Sequence, residues 1–323
     1  MPNSLPAMPD FRPAITAIVP VYQSEEILPE LYRRLSEALS ALTDRYEILL
    51  VEDCGNDQSW PLIQQLAADH GEVRGLRMSR NYGQHNALLC GIRQARHELI
   101  VTLDDDLQTP PEEIGKLLES LSQGYDVVYG TPQKQQHGLL RDLASRVTKL
   151  TLQGAMGAET ARNISAFRAF RSELREAFAD YRSPHVNIDV LLTWATNRFS
   201  AVTVQHAPRL AGESGYSMGQ LIRHALNMMT GFTTLPLRIA SALGFVFSTF
   251  GLLVFGYVMI RYLIDGSAVP GFPFLASIIA IFSGVQLFSI GIIGEYLARM
   301  HSRTMERPPY HVRESTTPEQ PHE

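Results

Sequence analysis

Cysteine is scarce, positive charge is not in excess, and the first residues carry no apolar run. Cys54 and Cys90 are the only two cysteines among 323 residues. They exclude a disulfide framework, show no metal-type spacing and fit a reducing compartment. The net charge of −5 leaves no basic excess that would suggest nucleic-acid binding as the main activity. Residues 1–13 are proline-rich and lack an apolar h-region, so no secretory signal peptide is expected and this stretch reads as a flexible lead-in.

What is present begins with alternating strand and helix patterns. Apolar strands are predicted at 14–19, 46–51, 73–78, 98–103 and 126–129. Helical spacing is read at 25–42, 61–68, 84–96 and from Pro111 onward, with Pro61 and Pro111 suited to a first turn. Such alternation predicts an α/β, mainly parallel, doubly wound sheet, here covering residues 14–216.

The fourth strand pattern runs directly into Asp104-Asp105-Asp106, and Pro110-Pro111 then stops it. Adjacent carboxylates repel one another unless a cation sits among them. Hard oxygen donors in a D-x-D spacing suit Mg²⁺ or Mn²⁺, which commonly take one or two carboxylates plus substrate phosphates. A solvated acidic loop is the alternative, which the preceding strand disfavours, because ligands collect outside the carboxyl ends of such strands.

Residues 239–260 carry no charge, and residues 272–293 carry Gln286 as their one strongly polar side chain. Each is long enough to cross a hydrocarbon core about 30 Å thick. They predict a two-span hairpin over residues 236–298. Its outer flanks hold Arg238 and Arg299, Arg303 and Arg307, whereas the charges of the 261–271 connection cancel. The positive-inside rule then puts both termini and the α/β domain in the cytoplasm, at an inner (cytoplasmic) membrane. Residues 217–235 form a juxtamembrane segment, whose apolar positions within 217–232 suit either the membrane interface or packing on the globular domain. Residues 299–323 read as a cytoplasmic tail, disordered from 308 onward.

Five segments in order carry a resemblance: Ile18-Val19-Pro20-Val21-Tyr22, the stretch from Glu47 to Asp53, Arg80-Asn81-Tyr82-Gly83-Gln84-His85, the stretch from Thr102 to Gln108, and Gly212-Glu213-Ser214-Gly215-Tyr216-Ser217. With the hairpin, they resemble the polyprenyl-phosphate glycosyltransferases of glycosyltransferase family 2. That group includes dolichol-phosphate mannose synthases, bactoprenol glucosyltransferases and undecaprenyl-phosphate 4-deoxy-4-formamido-L-arabinose transferases, the last being the most similar in the NYGQH segment and the two-span end. The resemblance implies a GT-A fold, a nucleotide-sugar donor, a polyprenyl-phosphate acceptor, a membrane partner and a divalent cation, and it allows a homo-tetramer.

Residue by residue, the resemblance assigns Asp104, Asp106 and Gln108 to the metal. It assigns Pro20, Tyr22, Glu25, Asp53, Asn81 and Asp104 to the nucleotide. Arg209, Ser214 and Tyr216 match positions near the acceptor phosphate, and Arg209 joins Asp104 and Asp106 as a catalytic residue, since a guanidinium fork matches phosphate oxygens. Arg141 and Arg146 suit either lipid phosphate or solvent. Asp105 receives no role, and His85 is assigned to starting or packing a helix in preference to acting as a base.

The chain departs from the family pattern around the sugar and acceptor. Gln23-Ser24 replaces Asn-Glu, Glu52-Asp53-Cys54-Gly55 replaces Asp-Asp-Gly-Ser, Arg162 stands at an acidic position and Gly215 at a lysine, while Gln133 and Gln136 flank Lys134 where an arginine pair is usual. The metal motif is untouched. Two alternatives stand beside this reading: a same-fold enzyme acting on another lipid or a glycan, and a non-catalytic nucleotide-binding membrane protein.

Overall fold

A computed structural model describes residues 13–132, 164–207, 235–265 and 271–317. The chain divides into two units: Met1–Tyr216 together with Arg307–Glu323, and Ser217–Glu306.

In the first unit the elements follow the predicted alternation. They are β1 (Ile15–Val21), α1 (Leu28–Leu42), β2 (Tyr46–Glu52), α2 (Ser59–Asp69), β3 (Val73–Met78), α3 (Gln84–Gln94), β4 (Leu99–Thr102), α4 (Ile114–Ser122) and β5 (Val127–Pro132). After these come β6 (Arg168–Arg171), α5 (Ile188–Ala195) and β7 (Phe199–Val204). A 3₁₀ turn at Pro111–Glu113 precedes α4, where proline needs no amide donor.

Every residue of β1 is buried, as expected of a strand covered on both faces. Its alternate side chains serve two cores. Ile15, Ala17, Val19 and Val21 pack with the α1, α2 and α4 side, while Ile18 packs with α3 and α5 on the other. The α1 stripe of Leu28, Leu31, Leu35 and Leu39 is fully buried, each leucine contributing roughly 1.5–3 kcal/mol. On the opposite face Gly91 of α3 lies so close to the sheet that a Cβ there would come within 2.5 Å of Ile18 Cγ2. That closeness ties α3, and the loop before it, to the middle of the sheet.

With β8 at Val312–Ser315, the sheet order is β7-β5-β6-β4-β1-β2-β3-β8. β1 pairs in parallel with both β2 and β4, and β2 with β3, so the winding direction reverses between β1 and β4. β7 is parallel to β5, whereas β6 runs antiparallel to both β4 and β5.

The outermost strand, β8 (Val312–Ser315), is antiparallel to β3. For residues 308–317 it overturns the expectation of a disordered tail; residues 318–323 lie outside the described residues. The segment is short and polar, so no period marks it; what orders it is the open edge of β3, whose backbone groups it pairs.

The second unit contains α6 (Leu235–Asp265) and α7 (Phe272–Thr304), both longer than the expected spans. Residues Leu237–Arg261 of α6 have a mean hydropathy of 2.1 and present large apolar side chains outward, among them Phe245, Leu252 and Leu253. Among the described residues this is the one stretch long and apolar enough to cross a membrane by length and composition. The two helices meet at Phe247 and Phe282, whose rings make an edge contact at 5.9 Å. Beyond its apolar run α7 continues as a polar helix, supported by a Glu295–Arg299 pair at 2.8 Å.

Candidate active site

The carboxyl ends of β4 and β1 meet at the reversal point, where α/β sheets place ligands, with those of β2 and then β3 alongside. Each strand delivers a loop of unusual geometry or charge. Gln23 after β1, Cys54 after β2 and Leu107 after β4 adopt left-handed backbone angles of φ 54°, 55° and 55°. Such angles cost non-glycine residues free energy, and they cluster where function constrains the chain.

The three aspartates of the β4 loop divide their work. Asp105 turns toward the β1 loop, where its Oδ2 accepts from the Tyr22 amide at 3.1 Å and from the Ser24 hydroxyl. Burial pushes the Asp105 carboxyl up, against the pull of those two donors, and neighbouring Asp106 adds to the rise. Asp104 Oδ1 accepts from the Gln84 side chain, and Asp106 Oδ1 accepts from the Gln108 amide at 3.1 Å. Asp104, Asp106 and Gln108 are all partly exposed. The Gln108 carbonyl accepts from the Ala207 amide at 2.8 Å, which fixes Ala207 beside the acidic loop.

Asp53 is 4% exposed, and its two oxygens accept from the Tyr82 and Gly83 amides, each at 2.7 Å. Burial raises its carboxyl against these two hydrogen bonds. Asp53 therefore holds the loop that starts α3, a loop that turns on Gly83 at φ 93°, where a side chain would be strained. Glu25 Oε2 accepts from the Gln58 amide at 2.6 Å, and its own amide donates to Asp57 at 3.2 Å. Pro20 is buried within β1, Asn81 is exposed and Tyr22 presents its ring to solvent. His85 lies in the first turn of α3, where its Nδ1 accepts from the Ile188 amide at 3.3 Å, a packing role.

Beneath the β4 loop, Arg168 is buried and pairs with Asp189, which also accepts from Tyr129 Oη at 3.0 Å. Thr102 at the end of β4 donates to the Ala166 carbonyl at 2.8 Å. These contacts support the floor of the site. Arg141, Arg146, Arg209, Ser214 and Tyr216 lie outside the described residues, as do residues 217–232 and the departures at Gln133, Gln136, Arg162 and Gly215.

Sequence reasoning gave no role to Asp105 and missed the Gln84 contact to Asp104. Asp105 and Asp106 lie in a turn after β4 ends at Thr102, so no strand period marked the direction of Asp105. Among the described residues no three His, Cys, Asp or Glu side chains gather into a metal cage. Two carboxylates completed by phosphate oxygens are what Mg²⁺ or Mn²⁺ commonly use, so Asp104 and Asp106 fit that donor chemistry.

Comparison with known proteins agrees with this geometry. The Glycosyl transferase family 2 profile matches residues 16–178. An undecaprenyl-phosphate 4-deoxy-4-formamido-L-arabinose transferase of Pseudomonas fluorescens is 36% identical over 301 residues, covering 92% of this chain and 88% of that one. The protein of that name from Aeromonas hydrophila is 36% identical over 313 residues, covering 95% and 96%. In structure, a glucosyl-3-phosphoglycerate synthase of Mycobacterium tuberculosis, solved with Mn²⁺, uridine diphosphate and glucosyl-3-phosphoglycerate, shares the fold. Its TM-score is 0.51 at 15% identity, over 68% of this chain and 79% of that one. A GT-A sheet with an acidic loop at its reversal point, a matching profile and relatives similar over nearly the whole length lead to one assignment: the chain belongs to glycosyltransferase family 2.

Proposed function

We propose that this glycosyltransferase moves a sugar from a nucleotide-sugar, a UDP-linked one being favoured, to undecaprenyl or a related polyprenyl phosphate at the cytoplasmic face of a membrane. The observation that carries the reading is the division of labour in the β4 loop. Asp105 bonds to the β1 loop, whereas Asp104 and Asp106, partly exposed and bonded to the Gln84 side chain and the Gln108 amide, would be the carboxylates that meet a donor diphosphate. The long relatives, named as undecaprenyl-phosphate sugar transferases, support the acceptor, and α6 with its apolar surface supports a membrane site for it.

The chemistry follows from charge. Asp104 and Asp106 would hold Mg²⁺ or Mn²⁺, which when bound supplies Lewis-acid stabilisation of the departing diphosphate. The structural relative solved with Mn²⁺ and uridine diphosphate supports that choice. A phosphate monoester has a second pKa of about 6, so the acceptor is already an anion near neutral pH and needs no strong base. The packing role of His85 accords with this. Tyr22 and the Asp53-anchored loop bind and orient the nucleotide, and Arg209 steers the acceptor phosphate. One in-line displacement then inverts the anomeric carbon.

The test is a panel of nucleotide-sugars offered to the purified full-length protein with undecaprenyl phosphate. One donor should yield an acid-labile, chloroform-soluble sugar-phosphate lipid. A product that forms only on a glycan acceptor would sink the reading.

A further inference from the structure

After α7 the chain returns to the α/β unit as β8, and this strand does more than close an edge. Leu76 pairs with Ser315, Arg77 with Glu314 and Met78 with Val312, with a bulge between Arg77 and Met78. The amide of Ser79 donates to the His311 carbonyl at 2.9 Å, and Thr316 exchanges bonds with Gly75 at 2.9 and 3.0 Å. Its one carboxylate, Glu314, is placed between two groups of the neighbouring elements. Glu314 Oε2 accepts from the Trp60 indole at 2.9 Å, and Oε1 lies 3.2 Å from Arg77 Nη1.

Arg77 in turn places its Nε 3.2 Å from Oε2 of Glu52, a carboxylate only 1% exposed. The other Glu52 oxygen accepts from the Gly55 amide at 2.5 Å. Gly55 is packed so closely on the β1 loop that a Cβ would come within 3.2 Å of the Gln23 amide. Contacts therefore run from the last strand of the chain, through Arg77 and Glu52, to the β1 and β2 loops.

We infer that Glu314 and Arg77 are positioning residues for donor binding: the C-terminal strand holds the Arg77 guanidinium against Glu52 and so fixes the loop that contacts the nucleotide. The inference rests on the proposed nucleotide site. A guanidinium shared by two carboxylates keeps one orientation. Without Glu314 the arginine retains, among the described residues, only Glu52 and the face of Trp60, 5.9 Å from its guanidinium carbon, so its hold on Glu52 loosens. Because Glu314 touches neither donor nor acceptor, its loss acts on donor affinity and leaves the chemical step in place.

The experiment measures binding of UDP, GDP and ADP, each with MnCl₂, to the detergent-solubilised full chain by calorimetry. It uses wild type, Glu314→Gln, Arg77→Gln and the double variant. Wild type should bind one of the three. Glu314→Gln should weaken that binding about three- to tenfold, and Arg77→Gln should do the same, with the double variant no weaker than Arg77→Gln alone. In turnover assays donor KM should rise while kcat holds within about twofold. If wild type binds none of the nucleotides, the functional reading falls and this inference falls with it. If wild type binds but Glu314→Gln binds equally well, or weakens binding as much without Arg77 as with it, the inference alone is overturned. Should Glu314→Gln not fold, Arg77→Lys replaces it, keeping the charge without the guanidinium that reaches both Glu314 and Glu52. The same loss is then expected, and wild-type affinity overturns the proposal.

Discussion

The two ends of the central sheet are built from similar residues and used in opposite ways. At the amino end, Glu47 is buried, yet Thr16 Oγ1 and the Arg96 amide donate to one of its oxygens at 2.7 Å and Arg74 to the other at 2.8 Å. Burial pushes the Glu47 carboxyl up, but the bonds from Arg74, Thr16 and Arg96 outweigh it and hold the group below the usual carboxylate range. At the carboxyl end, burial wins at Glu52, Asp53 and Asp105, whose carboxyls all stand above their ordinary values. Three of the four left-handed non-glycine residues among the described ones are at this end too. One end is satisfied and serves stability; the other is held in a costly arrangement, as expected of a site that must still receive charge and ligand.

The largest expected effect separates the two ends by activity. Asp106→Asn should lower turnover by at least about 100-fold, the scale of a lost electrostatic stabiliser, while the melting temperature holds or rises. Glu47→Gln should do the reverse. Removing one partner of a buried ion pair costs about 3–5 kcal/mol, so denaturant melts should show a large loss of stability with donor KM unchanged in the folded fraction. Equal effects of both variants on both measurements would break the comparison.

The pH dependence sharpens it. Glu47 has a lowered folded-state pKa, so its contribution is present above the unfolded value and is lost as pH falls through the folded one. Asp53 has a raised folded-state pKa, so its contribution is full below the unfolded value and is lost as pH rises through the folded one. Thermal melts between about pH 3.5 and 7 should therefore show the Glu47→Gln deficit shrinking toward acid and the Asp53→Asn deficit growing there. The smallest effect concerns strain. Cys54 is left-handed, so Cys54→Gly should raise stability by up to about 1 kcal/mol, the relief of a backbone angle that glycine adopts freely.

Much of this was legible because the informative residues are local. β3 runs from Val73 to Met78 as its apolar pattern predicts, and the carboxylates after β4 announce the site by standing at a strand end. Cys54 was legible in part, since the family pattern has glycine at that position, which the φ of 55° accounts for. What escaped depends on distant partners. Asp105 is defined by Tyr22 and Ser24, far earlier in the chain, and β8 by an edge strand that closes long before it in sequence. A polar four-residue strand has no period to read; only the vacant edge beside it gives it a conformation.

Nuclear magnetic resonance of the purified lipid product tests the central claim most directly. The sugar should be joined through C1 to the polyprenyl phosphate, with an anomeric configuration opposite to that of the donor. A retained anomer, or a sugar attached anywhere other than the lipid phosphate, would contradict it.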